Sequence, residues 1–248
     1  MVIDLALQGA VTPFRVLVVS DRSICRGPAA QRLLAAHLRA GGWDGDVVVG
    51  AAGVGARAGD ALHPDTARAL TELDVDAGGH VARRLTERRV VQADLLLAVA
   101  QRQVRDVAAL RPEAARRTFG LRELLRLSGS LAEGSPGTFT ERVAALDAVR
   151  RSGGDLAGDP DAAELDELAR LADRDLDDLD DADVLGALDG PAGAGYADHR
   201  RMVRTLDGLT LQVARVLTAG VPGGGQDAAG ADGTSAPDGR TAGASTAV

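Results

Sequence analysis

Apolar and polar positions in the first half of the chain alternate between two periods. Arg15–Ser20 (RVLVVS) is β-branched and apolar on both faces, as in a strand buried on both sides. A short loop, 21–27, leads to Pro28, a favoured first helical residue. The spacing predicts a helix over Pro28–Ala40, with Ala30, Leu34, His37 and Leu38 on one face and a stop at Gly41-Gly42. Val47–Val54 (VVVGAAGV) reads as a second strand and Pro64–Leu73 as a helix, followed by a turn at Ala77-Gly78-Gly79. Thr86 caps a short helix ahead of Asp94–Ala100 (DLLLAVA), a third buried strand. Gln101–Leu110 is helical, Arg117–Gly120 is a short fourth strand, and Leu121–Leu127 begins another helix. Strands alternating with helices at these spacings predict βαβ units. The expected fold is α/β, a small parallel sheet of about four strands flanked by helices. Its first βα loop falls at the carboxyl edge of the strands, where ligands usually bind.

The pattern changes after residue 128. Gly134-Ser135-Pro136-Gly137 and Gly153-Gly154 precede an acidic, leucine-spaced run (AELDELARLADRDLDDLDD). We read 129–182 as an inserted acidic segment, mainly helical, within a domain spanning 14–218. Tyr196–Leu217 restores helical order, with Met202, Leu206, Leu209, Val213 and Val216 facing a core. Residues 1–13 form a short lead. Residues 219–248, rich in Gly, Ala and Asp, are expected to be a disordered tail.

Composition narrows the function classes. All 28 basic residues are arginine and there is neither Lys nor Asn, the mark of a GC-rich genome such as an actinobacterium's. The arginines therefore carry little information about nucleic acid. The net charge of −8 is uneven, since 155–189 holds 14 acids and two arginines, leaving the remainder at +4. Nucleic-acid binding is not expected. A single cysteine, Cys25, rules out an intrachain disulfide or thiolate zinc site. His37, His63, His80 and His199 never fall at helical chelating spacing, so no metal and no cofactor are expected. No signal peptide or bilayer-length apolar run is evident, which points to a cytoplasmic protein without a membrane partner.

The chemistry concentrates in the first loop, Ser20-Asp21-Arg22-Ser23-Ile24-Cys25-Arg26, followed by Gly27-Pro28. A strand, a tight loop and a helix N-terminus bring amides together on one anion. The spacing, a nucleophile-type residue and then an arginine six positions on, suits a phosphoryl group. The first side chain would lie beneath phosphorus, and Arg26 would close over two oxygens through its bidentate fork. No G-x-G-x-x-G follows the strand, so a dinucleotide-binding reading fails.

At these residues the chain resembles the low-molecular-weight protein tyrosine phosphatases, whose loop reads C-x-G-N-x-C-R-S-P. VLVVSDRSICRGPAA aligns with it without a gap. ALHPDTARAL, RRLTERRVVQADLLLAV and RRTFGLRELLRL follow in order, most like actinobacterial members. The resemblance implies a phosphomonoester hydrolase fold, with Arg22, Ser23, Ile24, Cys25 and Arg26 binding phosphate and Arg26 as the clamp. It also places Ser20 where the family has its cysteine nucleophile. A serine hydroxyl is un-ionised at neutral pH, so Ser20 is expected to be inactive. Cys25 matches the family's second cysteine, and Gly27 replaces a serine that helps to stabilise the thiolate. Arg22 and Ser23 stand where the family has Gly-Asn, residues suited to φ > 0, which calls the loop's anion affinity into question. The family's acid lies in an Asp-Pro pair of a late loop. Gly186-Ala187 stands there, and a register shift would offer Asp183 or Asp189 instead. The expectation is a pseudophosphatase that binds a phosphorylated protein or a phosphate-like anion. The alternatives are an active phosphatase acting on phosphotyrosine or another phosphate monoester, and a non-catalytic interaction protein working through its acidic insertion.

Overall fold

A computed structural model describes residues 12–131, 137–152 and 195–223 of the chain. Four parallel strands, β1 (Phe14–Ser20), β2 (Val47–Gly53), β3 (Leu95–Ala98) and β4 (Thr118–Gly120), lie in the order β2-β1-β3-β4. The helices are α1 (Arg26–Ala40), α2 (Pro64–Thr71), α3 (Glu87–Gln92), α4 (Gln101–Leu110), α5 (Leu121–Ser128), α6 (Phe139–Arg151) and α7 (Tyr196–Thr218). A 3₁₀ turn, Pro112–Arg117, precedes β4.

The period-2 alternation of β1 explains the layering. Val16 and Val18 join a core shared with α1, α2, α5, α6 and α7, whereas Leu17 and Val19 join a smaller core with Leu85, Val90, Val107 and Ala114. A sheet covered on both faces can be apolar throughout, and Leu95, Leu96 and Leu97 are all fully buried.

Most predicted elements fall within a few residues of the observed ones, and the differences have local causes. α1 starts at Arg26, two residues before Pro28, because the loop itself closes into the first turn. Ala30, Leu34 and Leu38 are buried as expected, but His37 lies at the rim and its Nε2 meets Asp207 Oδ1 at 2.9 Å. On α7, Leu217 rather than Val216 is buried at the last turn, since a 3.6-residue repeat drifts from a strict 4-3 spacing over 23 residues.

Within the stretch read as an insertion, α6 is part of the core. Thr138 caps it, Oγ1 accepting from the Glu141 amide at 3.2 Å while Glu141 Oε2 accepts from the Thr138 amide at 2.7 Å. Val143 and Leu146 are buried, and Phe139 stacks on Phe14 with ring centroids 5.1 Å apart. The acidic run 155–189, with Asp183 and Asp189, lies outside the described residues, as do most of the lead and tail.

Candidate anion-binding site

β1 is the inner strand of the β2-β1-β3 trio, so its end is held from both sides. The loop that follows is fixed by its carbonyls. Ser20 O accepts from the Val54 amide (3.0 Å), Asp21 O from Gly55 (2.9 Å), Ile24 O from His63 (2.9 Å) and Cys25 O from Ala29 (3.0 Å). Ser23 O accepts from His80 Nε2 at 2.7 Å. The first three of these and Ser23 O are held by neighbouring segments, whereas Cys25 O makes the first bond of α1 itself. In a trans peptide the next N–H points away from the carbonyl, so the amides after these carbonyls are turned away from the segments that hold the loop. Amides freed in this way at a helix N-terminus are what an anion site needs.

Ser23 sits in the left-handed region at φ 56°, one of two non-glycine residues among those described with positive φ. The turn for which an Asn would be the usual choice is therefore made by a serine. The left-handed conformation is thus kept at Ser23 although a serine stands there. Ser23 is fully buried and its Oγ has no hydrogen-bond partner.

Arg26, the expected clamp, is 1 % exposed and is among the largest fully buried side chains of the described residues. Burying a guanidinium is costly unless it is paired or hydrogen-bonded. Arg22 and Asp21 are partly exposed, and Arg102 Nη2 from α4 approaches Asp21 Oδ2 at 3.8 Å over the rim. Ile24 and Cys25 are buried, and Cys25, which is in no disulfide, stands at the N-cap of α1 without capping it through its side chain. Ser20 is 1 % exposed, and its Oγ is sealed from solvent without a hydrogen-bond partner. The loop thus gathers Ser20, Ser23, Ile24, Cys25 and Arg26 at one place. The candidate acids Asp183 and Asp189 lie outside the described residues.

Three further residues support the loop without having been singled out for it in the sequence. Gly53 ends β2 so close to the loop that a Cβ there would lie 2.5 Å from Asp21 O and 2.9 Å from Arg22 C. The glycine closing VVVGAAG was the only signal for this contact. His80 bridges to Ser23 from the segment after α2. Its pKa is lowered by burial first; the bond to Ser23 O opposes this, and Arg32 and Arg83 add to it. His63 caps α2 and stacks on His199 of α7, centroids 4.3 Å apart and planes 12° from parallel. Burial lowers the His63 pKa, with Asp65 opposing.

His63, Asp65 and His199 bring ligand-type atoms within 4.8 Å of one another, a cluster that sequence spacing did not suggest. Their hydrogen bonds are not those of a chelate. His63 Nδ1 accepts from the Asp65 amide at 3.2 Å, which leaves the neutral ring's proton on Nε2, and His199 Nδ1 is 2.8 Å from Thr66 Oγ1. Stacked rings also aim their lone pairs in parallel rather than at one point. The cluster is a packing joint between α2 and α7.

An inner parallel strand, a loop held through its carbonyls and a buried arginine at the helix start are the parts of an α/β fold with a candidate phosphate loop. The comparisons agree. The family model described as low molecular weight phosphotyrosine protein phosphatase matches residues 15–132. The chain is 34 % identical over 109 residues to the probable low molecular weight protein-tyrosine-phosphatase EpsP of Ralstonia solanacearum, covering 44 % of this chain and 71 % of that protein. The chain belongs to the low-molecular-weight protein tyrosine phosphatase family. Among solved structures, a low molecular weight protein tyrosine phosphatase from Bacillus subtilis aligns with a TM-score of 0.51 at 21 % identity, covering 82 % of this chain and 97 % of that one. The arginine phosphatase YwlE aligns with a TM-score of 0.53 at 21 % identity, covering 82 % and 95 %. That structure is a cysteine-to-serine variant with a phosphorylated active-site serine.

Proposed function

We propose that this chain is a catalytically impaired member of its family, one that holds a phosphorylated or phosphate-like partner through Ser20–Arg26 without efficient turnover. The observation that carries this reading is the contrast within one loop. Its carbonyls face outward and Arg26 is buried at the helix start, while the residue in the nucleophile position is a sealed, un-ionised serine. A neutral Ser20 removes the repulsion between a thiolate and a phosphate dianion, so binding survives the loss of chemistry. No described helix is long and apolar enough to cross a membrane, and the setting we propose is the cytoplasm.

Calorimetric titration with phosphate or vanadate tests the binding. Saturable binding is expected for the wild type, and Arg26→Ala should weaken it by at least about tenfold, as for loss of a charge-assisted pair. Absence of saturation, or an Arg26→Ala variant identical to wild type, removes the reading. Alongside this, an aryl phosphate assay should show no turnover above background.

A second reading is favoured by the phosphorylated serine in the YwlE variant. Ser20 Oγ would attack phosphorus, the bond from phosphorus to the leaving oxygen would break, and the hydroxyl proton would pass to the leaving group. Without a group to activate water, the phosphoserine would persist. Intact mass after incubation with an aryl phosphate distinguishes the two: one added phosphoryl group, absent in Ser20→Ala, supports covalent trapping. Multiple turnovers abolished by Ser20→Ala would instead show an active serine phosphatase.

A further inference from the structure

Gly27 lies in the first turn of α1 with helical backbone, so no left-handed conformation requires a glycine. Glycine inside a helix ordinarily destabilises it, and its presence asks for a steric reason. The reason is Ser20. A Cβ built on Gly27 would lie 2.2 Å from Ser20 Oγ and 2.8 Å from Ser20 Cβ, and the three nearest atoms all belong to Ser20. Nonbonded carbons keep about 3.5–4.0 Å, so a side chain at 27 would force the residue-20 side chain and its strand end to shift out of this volume. The Ser20 hydroxymethyl group occupies the space that a side chain at 27 would fill. Its Oγ gains no hydrogen bond there and touches no solvent.

We propose that Gly27 is the positioning residue for position 20. By leaving this space empty it lets the residue-20 side chain pack beneath the start of α1, and the nucleophile position is closed by packing as well as by chemistry. The inference rests on reading 20–26 as a phosphate loop. Its consequence is specific: a thiol placed at position 20 does not become a nucleophile unless position 27 is refilled.

The test uses the full chain with Cys25→Ala, so that the introduced thiol is the only one. Alkylation by iodoacetamide is followed from pH 5 to 9 for Ser20→Cys with and without Gly27→Ser. With Gly27 retained, the thiol should react slowly and titrate at alkaline pH. With Gly27→Ser, the rate at pH 7 should rise roughly tenfold and the profile should move down by about one unit, the behaviour of an exposed thiolate at a helix N-terminus. Equal rates and profiles in the two variants overturn the proposal.

Melting temperatures provide a second measurement, independent of whether the double variant folds. Gly27→Ala should lower the melting temperature by roughly 5 °C in the wild type, as overpacking does. In a Ser20→Gly background the same change should be nearly neutral, because the competing side chain is gone. Equal losses in both backgrounds overturn the proposal. Phosphate titration of the wild type keeps the two readings apart: no binding with the Ser20–Gly27 coupling intact removes the binding function and supports the positioning role.

Discussion

Ser23 holds φ 56° with a side chain that gains nothing from burial, since its Oγ is unpartnered. A non-glycine L residue in the left-handed region is strained, and an unpaired buried hydroxyl adds to the cost. Ser23→Gly relieves both and should raise stability by about 0.5–1 kcal/mol in urea denaturation, despite the added freedom of the unfolded chain. A loss of stability would mean that the serine has a role beyond the turn. The sequence made the identity of this residue plain but not its conformation. Outward carbonyls on neighbouring elements hold the turn, and a serine read alone gives no sign of them.

At the scale of elements, α6 shows where pattern reading and packing part. Its sequence, FTERVAALDAVRR, lies between glycine-rich stretches and next to an acidic run, so composition grouped it with an insertion. Packing places Leu146 at 0 % exposure, and Arg150 lies over the Phe119 ring at 4.4 Å while its Nη1 donates to Thr118 O at 2.9 Å. The helix covers the β4 end of the sheet. Leu146→Ala should therefore cost about 2–5 kcal/mol, the range for a large-to-small change in a core. Chemical denaturation measures it, and a cost near zero would mark α6 as peripheral. The capping box Thr138–Glu141, which the reading of the sequence did not single out, marks the helix start. The partner surface was not available to any local reading, because Phe14, Phe119 and Trp43 are distant in the chain.

For the molecule as a whole, two half-buried histidines tie the loop to its surroundings. His80 donates Nε2–H to Ser23 O, and the backbone amide of His63 donates to Ile24 O. Burial lowers the pKa of both below the ordinary 6.5. The unfolded chain thus binds protons at a higher pH than the folded one. Their contribution is fully present above about 6.5 and is lost as pH falls through the folded values. The urea midpoint should fall between pH 7 and pH 5, and His80→Gln should flatten part of that slope. Trp43, the single tryptophan, is 7 % exposed and in edge contact with Phe139, so its fluorescence reports the transition. An unchanged midpoint across this range would contradict the buried, neutral state of both rings.

The sequence alone determined the alternation of strands and helices, the six-residue spacing from Ser20 to Arg26 and the presence of a single cysteine, Cys25. Each is a property of neighbouring residues, and short-range periodicity and residue chemistry suffice to read it. Only the tertiary structure decided that the loop carbonyls face outward, that Gly53 and His80 brace them, that His63 and His199 meet, and that Gly27 yields its space to Ser20. Those facts depend on which surfaces come together when the sheet forms and both of its faces are covered. Contacts of that kind join residues far apart in sequence, or set side-chain directions within a turn, and no local pattern encodes either.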